Sequence, residues 1–131
     1  MGAMTYYTKI NQFDKAIQWR LKAKQVLEPL GFKVFDPTIN FTENIQYPSK
    51  GVLYQNLHYL NKSKFVLGNI QFLEHSPGSL YELFTAFNDH KPVITFGYSD
   101  VLTQPHVNEA ITVNFVNLDL ALEYIRNMYG Q

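Results

Sequence analysis

The sequence predicts an α/β fold: a three-layer αβα sandwich around a five-stranded, mainly parallel sheet of the flavodoxin-like or Rossmann-like kind. Two observations carry this. Stretches of strand-like composition alternate with stretches of helical apolar spacing along the whole chain, as in βαβ units, whose crossovers are right-handed. At 131 residues the chain has the length of one domain, enough to bury one core.

The elements follow in order. Thr5-Tyr6-Tyr7-Thr8 is short and rich in β-forming residues, a first strand. From Phe13 the apolar residues fall at helical spacing through Ile17, Leu21, Val26, Leu27 and Leu30, and Pro29 and Gly31 mark the helix end. Phe32-Lys33-Val34-Phe35 reads as a second strand stopped by Asp36-Pro37. A polar loop runs to about Lys50, and Leu53, Leu57 and Leu60 indicate a second helix. Lys64 to Ile70 reads as a third, buried strand. After a turn at Ser76-Pro77-Gly78, a third helix extends from about Ser79 to Asn88. Pro92 to Phe96 and Ile111 to Val116 supply the fourth and fifth strands, and a last helix starts near Asn117 with Asp119 in its first turn. Met1-Gly2-Ala3 reads as an artificial leader ahead of a start at Met4, with residues 4–131 forming the single domain.

Composition excludes several classes. Lys and Arg total 11, as do Asp and Glu, for a net charge of zero; nucleic-acid binding needs clustered positive charge. The chain has no cysteine, hence no disulfide framework, thiol nucleophile or zinc knuckle. No apolar stretch approaches the roughly 20 residues of a membrane span, and no signal-peptide pattern opens the chain. The expectation is a small, soluble, cytoplasmic protein. Neither Gly-x-Gly-x-x-Gly after the first strand nor a Walker-type loop is present, and Gly-x-Ser-x-Gly is absent too. His58, His75, His90 and His106 show no metal-ligand spacing, so neither a metal nor another cofactor is expected.

In parallel sheets ligands bind beyond the carboxyl ends of the strands, which directs attention to the loops beginning near Tyr7, Asp36, Asn69 and Gly97. One constellation stands at such a junction: His75-Ser76-Pro77-Gly78-Ser79-Leu80-Tyr81-Glu82. Ser79-x-x-Glu82 matches a capping box, a purely structural reading. The same residues also suit chemistry. A carboxylate in the first helical turn is held ionised by the helix terminus and can act as a nucleophile. The amides near Gly78 and Ser79, with the Ser76 hydroxyl, can receive an anion such as a phosphate.

At this segment the chain resembles the nucleoside 2-deoxyribosyltransferase superfamily, which includes deoxynucleoside 5′-phosphate N-hydrolases. Gly78-Ser79-Leu80-Tyr81-Glu82-Leu83-Phe84-Thr85-Ala86 is similar to the family's Gly-x-x-x-Glu-Leu-Gly-x-Ala, and Lys91-Pro92-Val93-Ile94 to its Lys-Pro-Val-Ile. Asn56-Leu57 through Lys64-Phe65-Val66-Leu67 looks like its Asp-Leu helix and following strand; Gly31 and Asp36-Pro37 also fall in familiar places. The resemblance implies double displacement: Glu82 attacks the anomeric C1′, expels the base, and the glycosyl-enzyme is resolved by another base or by water. The transition state is oxocarbenium-like, as in retaining glycosidases. Tyr7, with Tyr6 as its rival, is the match for a tyrosine that orients the nucleophile. Asn69, at the end of the third strand, is a candidate substrate contact.

Two departures matter. The family's aspartate, which handles the proton of the leaving base, is Asn56 here, and an amide cannot serve as a general acid; His75 is a candidate substitute. Six residues before the glutamate, transferases acting on free nucleosides tend to have aspartate, whereas the nucleotide N-hydrolases have serine. Ser76 therefore leans towards a phosphorylated substrate, with Lys9 as a second phosphate contact or simply an exposed lysine. Phe84 replaces the glycine after Glu-Leu. The resemblance also implies a homodimer or larger assembly, with Asn114 to Asn117 or the tail near Tyr129 reaching across. The expected partner is a small nucleoside or nucleotide, with no nucleic acid and no membrane. The alternative is a nucleotide-binding module of the same fold with lost or altered catalysis.

Overall fold

The computed structural model describes residues 1–2, 7, 9–40 and 48–130. Three strands form a parallel sheet in chain order: β1 (Val66–Asn69), β2 (Val93–Phe96) and β3 (Val113–Phe115). Leu67 pairs with Ile94 and Ile94 with Val113; Asn69 pairs with Phe96 and Phe96 with Phe115. The carboxyl ends of all three strands therefore share one edge. Around the sheet lie α1 (Phe13–Leu27), α2 (Ser49–Lys62), α3 (Pro77–Asn88), α4 (Pro105–Ala110) and α5 (Leu118–Tyr129). No helix among the described residues is long and apolar enough to cross a membrane.

The layers follow from the period-two alternation of strand side chains. Val66 and Val93, with Ile70 just beyond β1, pack on one face against Leu60 of α2, Leu83 and Ala86 of α3, and Val107 and Ala110 of α4. Ile94 and Phe96 pack on the other against Ala23 and Leu27 of α1 and against Leu118, Ala121, Leu122 and Ile125 of α5. All four residues of β2 are buried, as befits a strand with helices on both faces.

Local sequence sets the helix ends. Ala16, Arg20, Ala23 and Leu27 form the buried stripe of α1, at spacings of four and three. A 3₁₀ turn, Glu28–Leu30, follows, and Gly31 closes it in the left-handed region at φ 96°, its N–H donating to Glu28 O at 2.9 Å. Asn117 caps α5: its side-chain oxygen accepts from Leu120 N at 3.0 Å.

The expected five strands reduce to three among the described residues. Phe32 to Phe35 forms no ladder with any described residue, and β structure needs a neighbour's backbone groups. Of the expected first strand, Tyr7 lies in a helical turn, while Thr5, Tyr6 and Thr8 fall outside the described residues. The leader expected at residues 1–3 has its first two residues packed into the fold. The Met1 amine donates to Leu67 O at 2.9 Å and the Met1 carbonyl accepts from Asn69 N at 3.0 Å. Between β2 and β3 the chain adds a 3₁₀ turn, Asp100–Thr103, and α4, capped by the Gln104 side chain; the sequence reading placed no helix there.

Candidate functional site

The site lies beyond the carboxyl end of β1, where α3 begins. The helix starts at Pro77, two residues before the expected Ser79, with Ser76 as N-cap. Proline suits the first helical position, where its missing N–H is an orphan anyway and its φ is preset. Two expectations are corrected by this shift. Ser79 is the third helical residue, buried, and its Oγ accepts from the Ser76 hydroxyl at 2.8 Å, so Ser79 and Glu82 form no capping box. Glu82 stands in the second turn, outside the reach of the terminal dipole, which falls off within one turn. No side chain caps α3 and its first turn carries no acid. The Gly78 and Ser79 amides belong to the first turn, where backbone N–H groups have no intrahelical partner.

A cavity of about 530 Å³ brings Ser76, Gly78, Ser79, Asn56 and Glu82 together, with His75 and Arg20 also in its wall. Glu82 is half-buried. Asn56 reaches in from α2, and its Oδ1 is buried with no hydrogen-bond partner among the described residues. Such an acceptor costs about 1–3 kcal/mol until a donor arrives. His75 pairs with Glu74, its Nε2 3.9 Å from Glu74 Oε1, and Glu74 in turn accepts from the Ser99 hydroxyl.

Arg20 is the residue the sequence reading did not single out. It is 4% exposed. Its guanidinium donates to Ala16 O and, at 3.2 Å, to Gly2 O, lies 4.6 Å above the Trp19 ring, and has Nε 3.7 Å from Asp36 Oδ1. Nε has no hydrogen bond among the described residues. Burial lowers its pKa to about 10, against the opposing charges of Asp36 and Glu82, so it stays a cation at neutral pH. The signal was present in the sequence: Arg20 occupies the Ala16, Ala23, Leu27 stripe, where a charge has to be buried. A second cavity, of about 460 Å³, shares Met1, Arg20, Pro37, Asn56 and Glu82 with the first, so these five residues stand where the two meet.

Three expected site residues lie outside both linings. Tyr7 is 2% exposed, packs edge-on to Phe72 at 5.2 Å, and donates to Gln71 Oε1 at 3.4 Å. Burial raises its pKa, which keeps the phenol protonated. Asn69 is also buried, its Oδ1 accepting from Gln71 N at 2.9 Å. Tyr7 and Asn69 thus hold the turn after β1 through the same glutamine. Lys9 is exposed. Tyr6 lies outside the described residues.

The arrangement offers a carboxylate, an amide acceptor, a cation and the first turn of α3 around one space. A carboxylate can attack an electrophilic carbon, and a buried cation stabilises negative charge that develops on a leaving group. Among the described residues no group of three His, Asp or Glu is arranged to hold a metal ion.

No protein-family model and no curated protein matches the chain. Among solved structures, a 2-deoxyribosyltransferase from Bacillus psychrosaccharolyticus matches it with a TM-score of 0.67 over 82% of each chain, at 22% sequence identity. The chain has the fold of that enzyme. The 2-deoxyribosyltransferase was characterised as a biocatalyst for the synthesis of nucleosides. At this identity the likeness speaks for the architecture, and the chemistry of this chain rests on Glu82, Asn56 and Arg20 themselves.

Proposed function

We propose that the chain is an enzyme of the nucleoside 2-deoxyribosyltransferase superfamily, cleaving the N-glycosidic bond of a deoxynucleoside or deoxynucleoside 5′-monophosphate. The observation that carries this reading is the position of Glu82. It stands half-buried beyond the carboxyl end of β1, in a cavity shared with Asn56 and the first turn of α3. A Glu82 carboxylate oxygen attacks C1′, the C1′–N bond breaks, and its electron pair leaves with the base. Water or an acceptor base then attacks C1′, the C1′–O bond to Glu82 breaks, and the proton lost by the attacking water or base passes to the departed base, giving hydrolysis or base exchange. Asn56 hydrogen-bonds the base without protonating it, and the Arg20 cation offsets the charge of the departing base. Ser76 and the Gly78 and Ser79 amides receive the 5′-hydroxyl or 5′-phosphate, with Lys9 as an outer contact. Tyr7 and Asn69 act at a distance, by fixing the turn that shapes the crevice.

The working assembly is a homodimer or larger oligomer in the cytoplasm, in which a neighbour's Asn114–Asn117 segment or carboxy-terminal tail completes each crevice. Val116, 80% exposed, and Met128, 61% exposed, offer apolar surface for it.

The test is a panel of deoxynucleosides, deoxynucleotides and NAD, with and without acceptor bases, followed by chromatography of the released base. Turnover that disappears in Glu82→Ala is expected; no turnover on any substrate, or full activity in the variant, refutes the reading. Dependence on an acceptor base separates transfer from hydrolysis. Asn56 in place of an acid favours a second reading, a nucleotide-binding module with lost catalysis. Calorimetric binding without turnover, and activity gained in Asn56→Asp, would select it.

A further inference from the structure

Asn56 and Arg20 together restrict how a base can leave the crevice. Both line the cavity of about 530 Å³ that holds Glu82. Asn56 Oδ1 is buried without a hydrogen-bond partner among the described residues, so it is an acceptor in want of an N–H donor. An amide has no proton to give to a leaving group. The other proton donors of the wall are engaged or placed elsewhere. The Met1 amine donates to Leu67 O. His75 pairs with Glu74 and stands at the start of α3, about 9 Å of helix rise from Glu82. Tyr81 is exposed.

Arg20 supplies a charge where a transferable proton is lacking. Its side chain is 4% exposed, its Nε has no hydrogen bond among the described residues, and Glu82 acts on it electrostatically. Attack by Glu82 forms the C1′–O bond and breaks the C1′–N bond, whose electron pair stays on the base nitrogen. The negative charge thus moves from the carboxylate to the base with no proton transferred. It moves within the field of a buried cation, where such charge is stabilised far more than in water.

We propose that the substrate base departs as an anion, which confines the substrates to deoxynucleosides or deoxynucleotides of lactam bases. These carry a ring N–H beside a carbonyl, as do uracil, its 5-substituted derivatives and hypoxanthine. The proposal rests on the reading of Glu82 as the nucleophile. The lactam N–H donates to Asn56 Oδ1, the adjoining carbonyl accepts from Asn56 Nδ2, and the ring carbonyls spread the charge of the departing nitrogen. Cytosine presents a bare ring nitrogen, an acceptor, where uracil presents the N–H. Its anion is also the poorer leaving group, so it needs the proton that Asn56 cannot give. An electron-withdrawing substituent at C5 of uracil stabilises the anion further and raises the rate.

The test measures kcat/KM for base release from 5-fluoro-2′-deoxyuridine, thymidine and 2′-deoxycytidine, each also as its 5′-monophosphate. It compares the native chain with Asn56→Asp, a near-isosteric change that restores a general acid. Ratios are taken within one protein, so they do not depend on how much of the variant is folded. In the native chain 5-fluorouracil is expected to leave faster than thymine, and faster than cytosine by roughly 10²-fold or more, the lower end of what a general acid is worth. In Asn56→Asp the 5-fluorouracil to cytosine ratio narrows by roughly tenfold or more, because the acid helps most the base that most needs a proton. Cytosine released as fast as 5-fluorouracil by the native chain, or a ratio unchanged in Asn56→Asp, overturns the inference and leaves the assignment of Glu82 intact. Failure of the native chain to release a base from any substrate overturns both.

Discussion

The Met1 amine gives a pH dependence whose sign and size can both be worked out. It is buried against β1 and faces Arg20, and these two effects lower its pKa from 8.0 to about 6, with Glu82 and Asp36 acting in the opposite direction. An amine whose folded pKa lies below its unfolded one holds fewer protons in the folded state between those values, so unfolding takes up a proton there. The stability contribution is therefore fully present above about pH 8, declines as pH falls, and is lost below about pH 6. The full swing is about 3 kcal/mol. Urea unfolding at about pH 5.5, 7 and 8.5 measures it when the chain is compared with its Nα-acetylated form. The histidines and carboxylates titrate in both, so the difference isolates the amine. Acetylated protein gains on the parent by about 3 kcal/mol as the medium is acidified. A flat difference curve, or an acetylated form that loses on the parent as pH falls from 8 towards 6, refutes the reasoning.

Three further outcomes are expected. Glu82→Gln keeps the side-chain shape and removes the nucleophile, so base release falls by roughly 10³-fold or more while the urea midpoint stays in place. Gly31→Ala costs about 1 kcal/mol: the residue sits at φ 96° and an added Cβ meets nothing within 4 Å, so only the backbone conformation is penalised, and a much larger loss in thermal unfolding contradicts this. Asn117→Ala removes the cap on Leu120 N and costs about 1 kcal/mol, whereas Asn117→Asp retains most of it; equal losses in the two variants speak against the cap.

Much of the architecture was legible because it depends on local pattern. The extent of α1, the stop at Gly31, the three strands and the start of α5 at Asn117 are each set by neighbours in sequence; the buried stripe of α1 is not, because it runs through Ala16, Arg20, Ala23 and Leu27 and leaves the expected Leu21 and Val26 exposed. What was not legible depends on distant partners or on competition between local signals. Phe32 to Phe35 has a strand's composition, but composition supplies no neighbour. At α3 two start signals compete, and Pro77 at the first helical position prevails over the Ser79–Glu82 spacing, which moves Glu82 one turn deeper. Segment 98–111 offered Pro105 but too few periodic residues to reveal a six-residue helix. Five of the eight candidate residues share one cavity. Tyr7 and Asn69 instead meet at Gln71, a pairing between positions some sixty residues apart that no spacing rule exposes.

The rungs between Met1 and β1 also bear on how the molecule comes together. They join residues 66 apart in sequence, whereas β1 and β2 pair across 27 residues, from Val66 to Val93. Loop-closure entropy grows with the logarithm of length, so closing the longer loop costs about 0.8 kcal/mol more, for two hydrogen bonds in place of a ladder. The sheet with α3, α4 and α5 is thus the part of the chain with the shortest loops to close, and the edge at Met1 joins it across a longer one. Arg20 is anchored partly to Gly2, so the crevice wall depends on that late contact. Mild destabilisation should therefore open the crevice before it melts the sheet, and loss of ligand binding should precede loss of the far-ultraviolet signal.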